Sequence, residues 1–254
     1  MSISPTFLKM KSIPLVIMLF LPFLLQAQNN TWRVYPTLGV DMGGALPFPL
    51  SDIPDGSKGT PKLNPNLGLG FEHGIGGKWS LGMEVSYHIL AFSANADVIS
   101  QPFYFDNQED VLYFSGHTST DVELRLLEFP VMAVFNAGPN WSLIMGAYYS
   151  RILDGTFNTT GTDGVLSPDK AITDTTQLPG PANITYNFND YIDDWDAGLL
   201  IGYRYNLNHR IFFWTRFQVG FKSIFVKEFE NIEYELYQLR LNVGISVALF
   251  SKKD

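Results

Sequence analysis

The chain contains no cysteine, which excludes disulfide scaffolds, thiolate metal sites, cysteine nucleophiles and a lipidated N-terminal cysteine. Charged residues are scarce, 17% of 254 positions, against about 25% in a typical soluble domain. Bases are scarcer than acids, 17 against 25, for a net charge of −8. That argues against a nucleic-acid partner, which would call for a basic patch or stripe. The four histidines, His73, His88, His117 and His209, form no His-Glu-x-x-His or similar metal spacing. Beyond the N-terminus no apolar run approaches the roughly 18 residues of a transmembrane helix. What the sequence does hold is 15% aromatic residues and 22 glycines, a composition that fits neither a disordered chain nor an ordinary cytosolic enzyme.

The N-terminus reads as a targeting segment. Lys9 and Lys11 form a basic region, Ile13 to Leu25 an apolar one, and Leu25-Gln26-Ala27 ends on a small residue suited to signal peptidase. The expected division is a signal peptide over 1–27 and a mature domain over 28–254, with export as the consequence.

Within the mature chain the dominant pattern is alternation with period two. From Tyr237 to Leu249 every odd position is apolar or aromatic, and the even positions from Gln238 to Ala248 are polar or small. The same split recurs around Ile211–Phe221, Trp195–Tyr205, Leu81–Ile89 and Val34–Met42. Alternating runs of about ten residues suit tilted strands crossing a membrane, whereas soluble sandwiches use strands nearer five or six. The pattern predicts eight strands, over 31–43, 64–74, 79–92, 120–136, 141–153, 192–205, 211–226 and 232–250. Short links at 74–78, 137–140 and 206–210 alternate with long ones at 45–63, 93–119 and 154–191; the last link, 227–231, reads as a tight hairpin. Membrane barrels sort their links this way, with short periplasmic turns and long extracellular loops. Trp32, Trp79, Trp141 and the stretch Phe212 to Trp214 open alternate strands, as an interfacial girdle would. The expected fold is all-β: an eight-stranded antiparallel up-and-down transmembrane barrel in the outer membrane, with both termini periplasmic.

Three stretches carry a family resemblance. Leu127-Glu128-Phe129-Pro130-Val131-Met132, Trp195 to Arg204 and Phe217 to Ile224 resemble the PorT-like outer-membrane β-barrel family of Gram-negative bacteria with type IX secretion. The resemblance spans essentially the mature chain and implies a small eight-stranded barrel; it does not extend to a role in secretion. The apolar last strand ending at Phe250 is similar to a barrel-assembly signal, with Ser251 to Asp254 following it.

Chemistry is sparse, and no cofactor, metal or catalytic set is assigned. Inward parity places Arg33, Arg204, Arg216, Lys222 and Arg240 in the lumen with Asp41, Glu72, Glu84, Glu128, Asp194 and Asp196. Tyr35, Met132 and Trp214 would fill the gaps between them. Such near-balance predicts paired charges and a plugged barrel, since an unpaired buried charge is costly. Glu84, Ser86 and His88 share the inward face of one strand, a residue set found in hydrolases. Their backbone spacing of about 6.6–6.8 Å exceeds nucleophile–base reach, so a neighbouring strand would be the better source of a partner. Asp190, Asp193, Asp194 and Asp196 crowd one rim, where they would hold Ca²⁺, bridge to lipopolysaccharide, or simply be solvated. The expected partners are outer-membrane lipids and lipopolysaccharide, and a protein contact through links 93–119 and 154–191. Two alternatives stand beside that envelope role: a passive pore for small solutes and a lipid hydrolase.

Overall fold

A computed structural model describes residues 31–47, 57–103, 112–167, 182–227 and 235–252. The strands are β1 (Trp32–Pro47), β2 (Lys58–Pro61), β3 (Leu63–Gly76), β4 (Trp79–Phe103), β5 (Leu112–Asn136), β6 (Trp141–Ser167), β7 (Ala182–Asn187), β8 (Trp195–Asn206), β9 (Ile211–Ser223), β10 (Leu236–Val247) and β11 (Phe250–Lys252). A 3₁₀ turn, Asn189–Tyr191, precedes β8. The signal segment, the 228–231 part of the last link and residues 253–254 lie outside the described residues.

Eight of these strands form a closed ring of antiparallel neighbours, in the order β10-β9-β8-β6-β5-β4-β3-β1 with β1 pairing back onto β10. Closure runs in unbroken register from Thr37↔Ser246 to Pro47↔Leu236, so the ring has no unpaired edge along that seam. Both described chain ends meet at Trp32↔Lys252, on the side where Gly77–Lys78, Ala137–Asn140 and Leu207–Arg210 make the short turns. We call that side the turn end and the opposite side the far end. β2 pairs β4 and β7 pairs β6 only at the far end.

Parity explains which face is which. On β10 the outward Leu241, Val243 and Val247 are exposed, while Arg240, Asn242 and Ser246 are buried inside. On β5 the outward apolar run is Leu127, Phe129, Val131, Ala133 and Phe135, about the nine to eleven residues a tilted strand needs to cross a bilayer. Interior bulk is made to fit by glycine: a Cβ at Gly70 or Gly244 would collide with the ring of Tyr35 or Trp214.

The long links differ from expectation. β4 and β5 have 25 residues each and β6 has 27, so most of 93–119 and the first part of 154–191 is strand. Once a neighbour is in place, ladder hydrogen bonds continue regardless of hydropathy, and Thr-rich segments such as Thr156–Thr162 have good β-propensity. Bulges mark the extension, between Arg125 and Leu126 on β5 opposite Asp154/Ile152 of β6, and between Gly161 and Gly164. Two non-glycine residues take positive φ at irregularities: Asp163, at 52°, within the Gly161–Gly164 one, and Ser100, at 53°, between Val98 and Gln101.

Across the Arg125 bulge the faces exchange character. Below it β5 turns Glu128 inward and Phe129 outward; above it Val122, Leu124 and Leu126 point in while Asp121, Glu123 and Arg125 point out. The far-end interior is a continuous apolar core that includes Leu90, Phe92, Phe114, Leu124, Ile152, Phe157, Ile224 and Phe225.

Candidate functional site: the filled lumen and its rims

Inside the membrane belt the lumen is built as stacked polar rungs. At the turn end Glu72 on β3 accepts from Arg33 (Nη2 to Oε2, 2.7 Å) and from Arg204 on β8 (Nη1 to Oε2, 2.5 Å). Arg204 also reaches Ser142 Oγ at 3.3 Å, and both guanidiniums lie over the Phe212 ring, at 4.7 and 5.2 Å. Above it, Arg216 grips both oxygens of Glu84 at 2.6 Å each, and Tyr35 donates to Glu84 at 2.9 Å. This fork-on-fork geometry is the strong form of an ion pair. Trp214 stacks on Arg216 at 4.4 Å and donates to Ser246.

The next rung is anchored by Glu128, which accepts from Arg240 and from Gln218 Nε2 (2.7 Å). Next to it His88 contacts Asp41 through Nδ1 at 2.6 Å and Ser86 through Nε2 at 2.8 Å, with Asn66 donating to Asp41 at 2.6 Å. The topmost rung pairs Tyr148 with Asp196, 2.9 Å apart. Around these groups Tyr35, Met132, Val134, Ile144, Tyr148, Leu200, Phe212 and Trp214 form a buried interior cluster. Tyr35, Met132 and Trp214 therefore fill the gaps as parity anticipated.

Several expected positions need correction. Asp194 is outside the lumen: it is exposed and pairs with Arg151 at 2.8 Å. Lys222 is at the rim, half-buried, with Nζ 2.5 Å from Asp193 and 4.0 Å from the Trp195 ring centre. Asp194 precedes the start of β8 at Trp195, and Lys222 falls where β9 loses register against β10, between Val219 and Ser223, so inward parity does not carry to either. The four rim aspartates are consequently scattered: Asp196 inside, Asp193 and Asp194 on separate cations, Asp190 in the 3₁₀ turn. Among the described residues no group of three or more His, Asp or Glu gathers in metal-binding geometry. Of Phe212 to Trp214 only Phe213 faces outward; its neighbours are buried in the lumen.

The set Glu84, Ser86 and His88 is split. Glu84 belongs to Arg216, whereas Ser86 and His88 do meet, because their side chains lean together across the rise of two residues. The acid on the other side of His88 is Asp41, from β1, two strands away. Sequence reading missed this partnership, along with Asn66 and Tyr148. Each sits at an inward position of an alternating strand, and parity could have flagged them; the cross-barrel pairing could not be read without the ring closed.

The outer wall carries its own order. Phe129, Tyr149 and Trp195 stack across β5, β6 and β8 with centroids 6.5 and 6.0 Å apart. Arg151 and Lys222 stand beside this row. Trp79 and Trp141 mark the opposite margin, against Phe135 at 4.8 Å and Tyr205 at 4.7 Å. Two aromatic margins around an apolar wall, with a closed antiparallel ring between them, define a transmembrane β-barrel.

The family model described as outer membrane protein beta-barrel domain matches residues 26–226; the chain belongs to this family, and its place is the outer membrane. Among solved structures the chain is similar to Ail, the attachment invasion locus protein of Yersinia pestis, at 9% identity and TM-score 0.38, over 87% of this chain and 100% of that one. It is also similar to Neisserial surface protein A, at 9% identity and TM-score 0.36, over 85% and 96%. A third is OprG from Pseudomonas aeruginosa, at 12% identity and TM-score 0.29, over 87% and 96%. No curated protein sequence matches the chain.

Proposed function

We propose that this protein is a non-conducting, non-enzymatic barrel that presents its far end outside the cell as a contact surface, with both termini in the periplasm. Within the wider family, the motifs in β5, β8 and β9 favour kinship with the PorT-like barrels. The observation that carries the reading is the lumen: acids and bases are paired rung by rung, and rings fill the space between them. A charge-selective pore would instead present an open path lined by one dominant sign. Eight strands enclose an interior just wide enough for side chains to fill.

Ser86, His88 and Asp41 have the contact order of a hydrolytic triad, yet they support a structural role better. Ser86 lies in a stave paired on both sides, to Gly68 and Glu128. Strand amides of this kind point along the sheet to their ladder partners and not into the lumen, so they cannot serve a developing oxyanion. The proposed partners are lipopolysaccharide, at the Phe129–Tyr149–Trp195 row with its neighbouring cations, and a protein met by the β4–β5 and β5–β6 extensions.

Planar-bilayer recordings on the purified protein test the reading; the expected result is no reproducible conductance step, and steady nanosiemens-scale steps would replace it with the pore. On intact cells an epitope at Thr162 should bind antibody while one after Asp254 should not. Surface labelling of the latter would overturn the orientation.

A further inference from the structure

At the turn end the lumen opens into a cavity of about 670 Å³, within the roughly 300–1,000 Å³ of small-ligand sites. Its floor is the Arg33–Glu72–Arg204 rung, and its walls include Trp32, Asn136 and Asn206. Among the described lining residues Glu72 is the only acid. Two guanidiniums against one carboxylate leave the floor with a surplus positive charge, in a chain whose net charge is −8. The surplus faces the opening: the Arg33 side chain is 18% exposed, against 4% for Arg204. Arg204 Nε and Asn206 Oδ1 are buried without a hydrogen-bond partner, whereas buried polar atoms are normally paired.

We propose that this vestibule binds a peptide carboxylate, with the carboxylate against Arg33 and the adjoining amide groups against Asn136 and Asn206. A guanidinium fork matches a carboxylate in shape and charge. An asparagine amide offers one acceptor and two donors, the complement of a peptide unit. A doubly charged phosphate suits the site less well, because Glu72 leaves only a single charge to offset it. Trp32 supplies an apolar wall for a short side chain. Given the periplasmic placement of this end proposed above, the matching source is the short, carboxylate-ended peptide stem of peptidoglycan.

The test is isothermal titration of the protein, purified in detergent, with the soluble disaccharide-tetrapeptide fragment of peptidoglycan. A second titration uses the same fragment with its carboxylates amidated. The expected result is saturable binding of the free-acid fragment, weakened about tenfold or more by amidation or by Arg33→Gln, as losing a charge-assisted hydrogen bond requires. Lys62→Gln, at the far end, should leave it unchanged. Asn206→Ala gives a second variant should Arg33→Gln lose the heat-modifiable mobility of a folded barrel, and it should also weaken binding. Absence of saturable heat with the wild-type protein, or equal affinity for the amidated fragment, would overturn the site. Both ends of the barrel are accessible to solute in detergent, so this result is independent of the epitope experiment: binding together with surface-exposed termini would sink the orientation and the peptidoglycan source while leaving the pocket's chemistry intact.

Discussion

The two halves of β5 obey opposite rules. From Leu127 to Phe135 the strand is apolar outside and sends Glu128 into the polar rungs, beside Pro130, Met132 and Val134; from Asp121 to Leu126 it is polar outside and wholly apolar inside. The same exchange occurs on β4 between His88 and Leu90, and on β6 between Ser150 and Ile152. One continuous sheet therefore serves two solvents. Within the belt the surroundings are hydrocarbon, so outward side chains must be apolar and the polar groups find each other inside. Beyond it the surroundings are water, and burial follows the ordinary rule of soluble proteins. Hydrogen bonding along the ladder is common to both halves; only the side-chain sorting changes, and it changes within about two residues.

The largest way to break this contrast is from the inside of the belt. Glu128→Leu would leave Arg240, wholly buried, without its carboxylate. The expected loss is about 3–5 kcal/mol, the cost of stranding one partner of a buried pair. The measurement is urea unfolding in lipid vesicles; a stability equal to wild type would mean that water, not Glu128, satisfies Arg240. A smaller effect comes from the outside. Val243→Arg, on the exposed belt face, should cost about 2–4 kcal/mol near the midplane. Thr156→Arg, outward on the far-end part of β6, should cost almost nothing by the same assay. Equal losses at the two positions would erase the boundary between the halves.

The smallest effect lies on the far-end surface. Lys62 Nζ donates to Asp121 at 2.8 Å, Ser93 Oγ donates to the same carboxylate at 2.5 Å, and these bonds hold the Asp121 carboxyl below its ordinary value. A carboxyl depressed in the folded state adds stability above its unfolded pKa, near 3.9, and that stability is lost as pH falls through the folded value. Asp121→Asn should therefore flatten the stability profile only below about pH 4. At neutral pH the change should be a few tenths of a kcal/mol, because the group is largely exposed and screened. A profile unchanged below that pH would remove the interaction from consideration.

How much of this was legible follows from the same contrast. Alternation revealed the belt, its parity and the eight staves, because hydrocarbon imposes a strict two-residue period on each of them. It stopped at Phe92 and Asp154 because water imposes the reverse polarity, and a strand with Asn, Asp, Thr and Gly outside resembles a loop. Inward parity named Arg216 and Glu84 as lumenal, but their mutual grip joins residues 132 positions apart and needs the closed ring. Lys222 and Asp194 went astray for a local reason: strand structure stops between Asn187 and Trp195, and β9 loses register against β10 between Val219 and Ser223, and parity counted through an irregularity loses its meaning.

The far-end extension also acts on the molecule as a rivet head. Its outer face carries the exposed Asp97, His117, Asp121, Arg125 and Asp154 and the half-buried Glu123, over an apolar core that, in the orientation proposed above, forms only after the hairpins have crossed. Drawing it back through the bilayer would require dismantling that core and passing each charge through hydrocarbon, at about 2.5–3.5 kcal/mol apiece on insertion scales. The barrel's depth in the membrane is therefore fixed from one side. Crossing is slow to reverse for reasons separate from the belt's own stability.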